Sequence, residues 1–211
     1  MPFLTRSFRI QLLVAMLFTG ALPVTGNTIA DDISPQDLVR DTSSRMLVAL
    51  HDEQESIKDD SGRLYELVSE IVLPYFDFRR MSQWVLGKNW RKATPEQRER
   101  FVEQFRQLLV RTYGSALFEY ADEKIIYLPF VADTGARTVT VRTEIELAGA
   151  TAIPITYSMY NSNAGWKVYD VSISGISLVT NYRSTFGSII RKDGMDVLIS
   201  QMAERNGQVD G

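Results

Sequence analysis

Apolar residues recur along this chain with a helical period, then with a period of two, then with a helical period again. Ser34-Pro35 opens the first helix as a cap followed by a first-turn proline. Leu38, Met46, Val48, Ala49 and Leu50 carry its apolar positions, and charge sets in from Asp52. Asp59-Asp60-Ser61-Gly62 interrupts it, and a second helix runs from about Arg63 to Leu73 with Leu64, Leu67, Val68 and Ile71 on one face. Pro74 stops that helix, because proline lacks the amide the next turn needs. Asp77 caps a third, bearing Met81, Trp84, Val85 and Leu86 and ending near Gly87. The longest helix begins at Thr94-Pro95-Glu96-Gln97, which supplies a cap, a first-turn proline and the glutamine of a capping box. Phe101, Phe105, Leu108, Leu109, Thr112, Ala116 and Leu117 follow at helical spacing, so this helix should lie across a large apolar surface such as a sheet.

After Asp122 the period changes to two. Lys124 to Val131 reads as a strand, with Pro129 marking an edge or a bulge. From Arg137 to Leu147, Val139, Val141, Ile145 and Leu147 alternate with Thr138, Thr140, Arg142, Glu144 and Glu146. Ile153, Ile155, Tyr157 and Met159 repeat the pattern, and Asn161 to Gly165 forms a turn. In the returning strand Trp166 and Val168 share one parity while Val171 and Ile173 share the other. A bulge near Tyr169-Asp170 accounts for the shift, as does a strand buried on both faces. Ser177 then caps a helix holding Leu178, Val179, Tyr182, Phe186, Ile189 and Ile190. Asp193-Gly194 breaks it, and a last helix carries Met195, Val197, Leu198, Ile199 and Met202 before a polar, frayed tail from Asn206. Four antiparallel strands flanked by helices make an α+β domain.

The leader decides where this domain works. Residues 1–30 hold Arg6 and Arg9, an apolar run from Ile10 to Leu22 and the small-residue site Thr28-Ile29-Ala30, with Val24-Thr25-Gly26 as a second option. A membrane-spanning helix needs roughly 20 predominantly apolar residues, so the run reads as a cleavable signal peptide. Residues 31–211 are then one domain, soluble in the periplasm. Losing two cations and no anion with the leader takes the net charge from −3 to −5, and no basic run is dense enough to track nucleic acid. There is no cysteine, which removes disulfides, thiolate metal sites, a cysteine nucleophile and a lipoprotein anchor.

Candidate chemistry is sparse. His51, the single histidine, sits at the charged end of a helix without metal-binding company. Gly87 to Lys92 lacks the spacing of a phosphate-binding loop and reads as a basic connection that Trp90 packs down. Asp170, inside a strand, is the one candidate general base; against that, it bonds a backbone group or pairs with Arg183. Tyr182 reads as a core ring with a bonded hydroxyl, and Arg183 as a structural ion pair. The residues alone stop at a soluble, secreted α+β domain rich in apolar surface, and they leave open a small-molecule enzyme with Asp170 as base and a periplasmic protein-binding adaptor.

Several short stretches share a pattern with one known family. They are Tyr75-Phe76-Asp77-Phe78, Leu86-Gly87-Lys88-Asn89-Trp90, and Thr94-Pro95-Glu96-Gln97 leading to Phe101. The last runs from Trp166-Lys167-Val168-Tyr169-Asp170-Val171 through Gly175-Ile176-Ser177-Leu178 to Asn181-Tyr182-Arg183. Behind a signal peptide and without cysteine, the chain resembles the MlaC or toluene-tolerance family, periplasmic phospholipid shuttles of the Mla (maintenance of lipid asymmetry) pathway. The resemblance implies a non-enzymatic, monomeric carrier with no cofactor and phospholipid as cargo. It implies partners in an inner-membrane ABC-transporter complex and an outer-membrane lipoprotein–porin complex, between which lipid moves to maintain outer-membrane lipid asymmetry. It also implies an apolar pocket for acyl chains. By facing and position, Val139, Val141, Ile155 and Tyr157 would line it from the sheet, joined by Val171 and Ile173 if the parity shift turns them inward. Trp84, Phe105, Leu109 and Leu117 would close it from the helices. Periodicity cannot separate such a lining from an ordinary core.

Overall fold

Caps and breakers place the helix ends where local hydrogen bonding requires them. The structure, a computed structural model, describes residues 33–132 and 135–207, which fall in one compact unit. The expected leader at residues 1–30 lies outside the described residues.

Helix α1 spans Pro35–Asp52, and the Ser34 hydroxyl accepts the Asp37 amide at 3.1 Å. It stops earlier than the charge pattern suggests: a short α2, Gln54–Asp59, follows at once, and α3, Ser61–Ile71, is capped by the Asp60 carboxylate accepting from Gly62 at 2.8 Å. Pro74 sits in a 3-10 turn at Leu73–Tyr75, beyond the end of α3. Helix α4 is Phe78–Leu86, with the Asp77 carboxylate accepting the Arg80 amide at 2.8 Å. The basic connection forms a single helical turn, α5, Lys88–Lys92, with Trp90 held between the guanidinium groups of Arg79 and Arg98. In α6, Pro95–Glu119, the capping box is complete, each of Thr94 and Gln97 accepting the other's amide at 3.1 Å.

The sheet holds five strands, one more than expected: β1 Lys124–Tyr127, β2 Thr138–Glu146, β3 Ile153–Ser162, β4 Gly165–Ile173 and β5 Ile176–Ser177. Each pairs antiparallel with the next in sequence. Strand β1 is an edge and stops before Pro129, which has no amide to donate to a ladder. The additional β5 exists because Ser174 and Gly175, at φ 50° and 80°, make a two-residue reversal with both central residues left-handed, the turn whose twist matches a hairpin. Strand β4 carries the bulge that the parity shift requires. Ser158 pairs with Asp170 and Met159 with Val168, leaving Tyr169 as the extra residue. Val168 and Val171 therefore both face the core.

Helix α7, Leu178–Asp193, leaves the sheet through Ser177, whose hydroxyl accepts the Thr180 amide at 3.1 Å. Gly194, at φ 93°, turns the chain into α8, Met195–Gly207. The frayed tail expected from Asn206 is a correction. Asn206 is buried, and its side-chain amide donates to the backbone and side-chain oxygens of Gln104 on α6.

Helix α6 departs from the expectation of lying directly on the sheet. It packs chiefly against α8, α3 and α4. The buried side chains divide into two clusters. One joins the inner sheet face to α4, α7, α8, the start of α1 and α6 as far as Leu109. The other joins Met46 and Leu50 of α1 to Ile57, Leu67, Val68 and Val110. Among the described residues no helix is long and apolar enough to cross a membrane.

Candidate functional site

Between the two clusters the interior is not filled. A cavity of about 300 Å³ lies between the inner face of β1–β4, one stripe of α1 and the second half of α6, with the Val72–Phe78 segment closing one side. Among the described residues no lining side chain is charged. On α1 the lining runs Leu38, Val39, Thr42, Ser43, Met46, Leu47 and Leu50, the spacing of one continuous helical face. On the sheet it follows alternation, with Thr143 and Ile145 on β2 and Ile153, Ile155, Tyr157 and Met159 on β3. The β4 bulge then brings Val168, Val171 and Ile173 to the same wall.

The sequence-predicted lining separates into two groups. Leu109, Leu117, Ile155, Tyr157, Val171 and Ile173 stand on the cavity wall. The wall is least covered at Leu117, which is 41% exposed. Phe105 does not reach the cavity. It is fully buried in an aromatic cluster, stacked on Phe101 at 5.7 Å and edge-on to Tyr182 at 5.3 Å. Val139 and Val141 share the inner face of β2 with the lining, but they lie further along it, in the first cluster, where Val141 is fully buried. Alternation assigns a face; it does not say which stretch of that face meets a helix and which meets a void. Trp84 is a clear correction. It is 45% exposed on the outer side of α4, with its ring 4.9 Å from that of the bulge residue Tyr169.

The α1 stripe went unpredicted as lining. Its signal was the pair Thr42-Ser43 within an otherwise apolar face, since short polar side chains leave room that larger ones would fill. Gly114, inside α6, adds room in the same way: a Cβ there would meet only Leu64 and Val110, at 3.9 Å.

Burial raises two of the tyrosine phenols on the cavity wall. Burial pushes Tyr157 up, with the Thr143 hydroxyl partly opposing. Burial, reinforced by Tyr182, pushes Tyr113 up to about 12. Asp170 belongs to the framework. Its carboxylate accepts the Ser177 hydroxyl at 2.6 Å and the Val179 amide at 3.1 Å, so it caps α7. Arg183 lies with its guanidinium over Gly87, about 3.0 Å from where a Cβ would stand. Among the described residues no group of three His, Cys, Asp or Glu side chains is placed to hold a metal.

A space of this kind is costly to leave empty. At about 24 cal/mol per Å³, a dry void of this volume would forfeit on the order of 7 kcal/mol of packing, comparable with a whole domain's stability. Water is a poor filler, since it needs polar partners that this wall scarcely offers. The wall suits a flexible apolar chain.

Comparison with known proteins points to the same chemistry. The family model described as MlaC protein matches residues 40–204. The toluene tolerance protein ttg2D of Pseudomonas putida is 31% identical over 165 residues, covering 78% of this chain and 76% of that protein. The intermembrane phospholipid transport system binding protein MlaC of Haemophilus influenzae is 29% identical over 192 residues, covering 89% of each chain. Among solved structures, a phospholipid-binding protein from Ralstonia solanacearum, determined in complex with a phospholipid, superposes with a TM-score of 0.76 at 31% identity. That match covers 82% of this chain and 97% of the other.

Proposed function

The chain belongs to the MlaC family, and on that premise we propose that it is a soluble, monomeric phospholipid carrier of the periplasm. The observation that carries this reading is the uncharged cavity between α1, α6 and the sheet. At about 0.8 kcal/mol per buried CH₂, a long acyl chain left in water would cost on the order of 10 kcal/mol, so a carrier must cover the tails almost as well as a bilayer does. Leu109, Leu117, Ile155, Tyr157, Val171, Ile173 and the α1 stripe would contact the tails, and the head group would remain in water. No bond is made or broken. In the cell the carrier would run between an inner-membrane ABC-transporter complex and an outer-membrane lipoprotein–porin complex, after removal of the leader.

Extraction of gently purified protein with organic solvent, followed by mass spectrometry, tests the reading directly. About one phospholipid or more per chain is expected. Protein that is folded and free of lipid would exclude it, and a stoichiometric small metabolite or a bound polypeptide would point instead to an enzyme or an adaptor.

A further inference from the structure

We propose that α1 and α6 each carry a hinge where they cross from one core cluster to the other, and that bending at both opens the cavity. Both helices pass between the clusters. On α1, Leu38 and Val39 belong to the first and Met46 and Leu50 to the second. On α6, Phe101 to Leu109 pack in the first, which Tyr113 also reaches, and Val110 and Phe118 pack in the second. At each crossing the sequence turns to weak helix formers: Asp41-Thr42-Ser43-Ser44 in α1 and Thr112-Tyr113-Gly114-Ser115 in α6. Gly-Ser pairs are among the few recurrent causes of sharp helix bends, and Gly114-Ser115 is one.

The two ends of α1 are tied to different bodies, and the first half of α6 is tied to the first. The start of α1 is held to the sheet side, where the Gln36 side-chain amide donates to the Leu128 carbonyl at 2.7 Å and the Arg40 guanidinium stacks 4.2 Å from the centre of the Tyr127 ring. Its other end leads into α2 and α3, where Arg63 bridges Glu53 and Glu66. The first half of α6 is tied by Gln97 to Asp196 at 2.9 Å, by Arg98 to the Trp90 carbonyl at 2.8 Å and by Gln104 to Asn206. The cavity lies at the boundary between these bodies. The Thr42 hydroxyl, shut off from solvent, has no hydrogen-bond partner. A change of rotamer can carry it to the carbonyl one turn back, a bond that Thr185 makes in α7 and that tends to bend a helix. Packed interiors part between bodies and do not stretch, so a bulky two-tailed cargo is admitted by moving one cluster against the other.

Two measurements test the hinges, and the first does not depend on the cargo. In native-state hydrogen exchange the amides in the middle of α1, residues 43–47, should exchange faster than those at 39–41 and 49–51. Simple fraying gives the reverse order, and that order, or uniform exchange, overturns the proposal. The second rests on the carrier reading and uses release of a pyrene-labelled phosphatidylglycerol into unlabelled vesicles, with loading measured in reverse. Gly114→Ala fits the available space and should slow both directions by about fivefold, the equivalent of the roughly 1 kcal/mol by which alanine favours a helix over glycine. Gly187→Ala, in α7 away from the cavity, should leave both rates as in the parent. Parent-like rates in Gly114→Ala overturn the hinge. So does a faster release with lost affinity, which would mean that the methyl group merely occupies lipid space. A parent protein that takes up no phospholipid at all defeats the carrier reading, and the exchange pattern along α1 still decides the hinge.

Discussion

Single residues in this protein divide by whether they face the void, the filled core or the framework. Ile155 faces the void, paired across the sheet with Thr143 and Ile173. Ile155→Glu would set a carboxylate among tails, where it must shed its hydration or its charge. We predict lipid content lowered on the order of tenfold in a variant that stays folded, read by extraction and mass spectrometry. Trp84→Glu, on the outer face, should load normally, and equal loading by both variants would remove Ile155 from the lining. Asp170→Asn should behave differently again. It weakens the cap of α7 and should cost about 1–3 kcal/mol in urea unfolding, with lipid content unchanged. Tyr113 makes a pH prediction. Its phenol is pushed up to about 12 in the fold and titrates near 10 when unfolded. The folded state therefore holds the proton more tightly, so this contribution is complete below pH about 10 and is lost as pH rises towards 12. Thermal melts across that window should decline less steeply for Tyr113→Phe than for the parent. A residual slope should remain from Tyr157, which is shifted the same way.

At the scale of elements, the run from β4 through β5 into α7 does most to position the cavity wall. The Tyr169 bulge turns Val171 and Ile173 inward, the Ser174-Gly175 reversal returns the chain, and Ser177 is at once the last strand residue and the helix cap. Gly175 stands at φ 80°, where a side chain costs about 1–2 kcal/mol. Gly175→Ala should lower the unfolding free energy by that amount, seen as a lower urea midpoint with the slope of the transition unchanged; an unchanged midpoint would show that the turn relaxes freely. This stretch was also where reading the chain came closest. Its glycine break and its serine cap are local chemistry, visible in the order of residues, and its parity shift admits the bulge that the structure shows. Strand β5 escaped notice because two residues are too few to show a period.

For the whole molecule, the cavity couples cargo to stability. A ligand that binds only the folded state raises stability by about 4 kcal/mol at a thousandfold excess over its dissociation constant. A domain of this size shifts by about 2–4 °C per kcal/mol. We predict that protein stripped of lipid melts about 5–15 °C below protein as purified, and that adding phospholipid back restores the difference. Equal melting temperatures would mean that the tails are not what fills the space between the clusters.

Periods, caps and breaks depend on neighbours within a few residues, so the sequence by itself determined the longer helices, the four longer strands and most of their inward faces, and it narrowed the parity shift in β4 to a bulge or a strand buried on both faces. Leu109, Ile155 and Tyr157 were legible as inward-facing for that reason. Whether an inward side chain meets another or meets a void depends on how far apart its element and the opposite one are held. No periodicity carries that distance. Phe105 and Val141 have the same pattern as the lining, yet both are sealed in packed core. Trp84 sits among core residues in sequence, yet faces outward because α4 turns its other side to α6 and α7. The tertiary structure alone decided that α6 is carried by α3, α4 and α8, and that the space left between it and the sheet is the cavity. A cavity is volume that surrounding elements enclose and side chains leave unfilled, so it exists only once those elements have met.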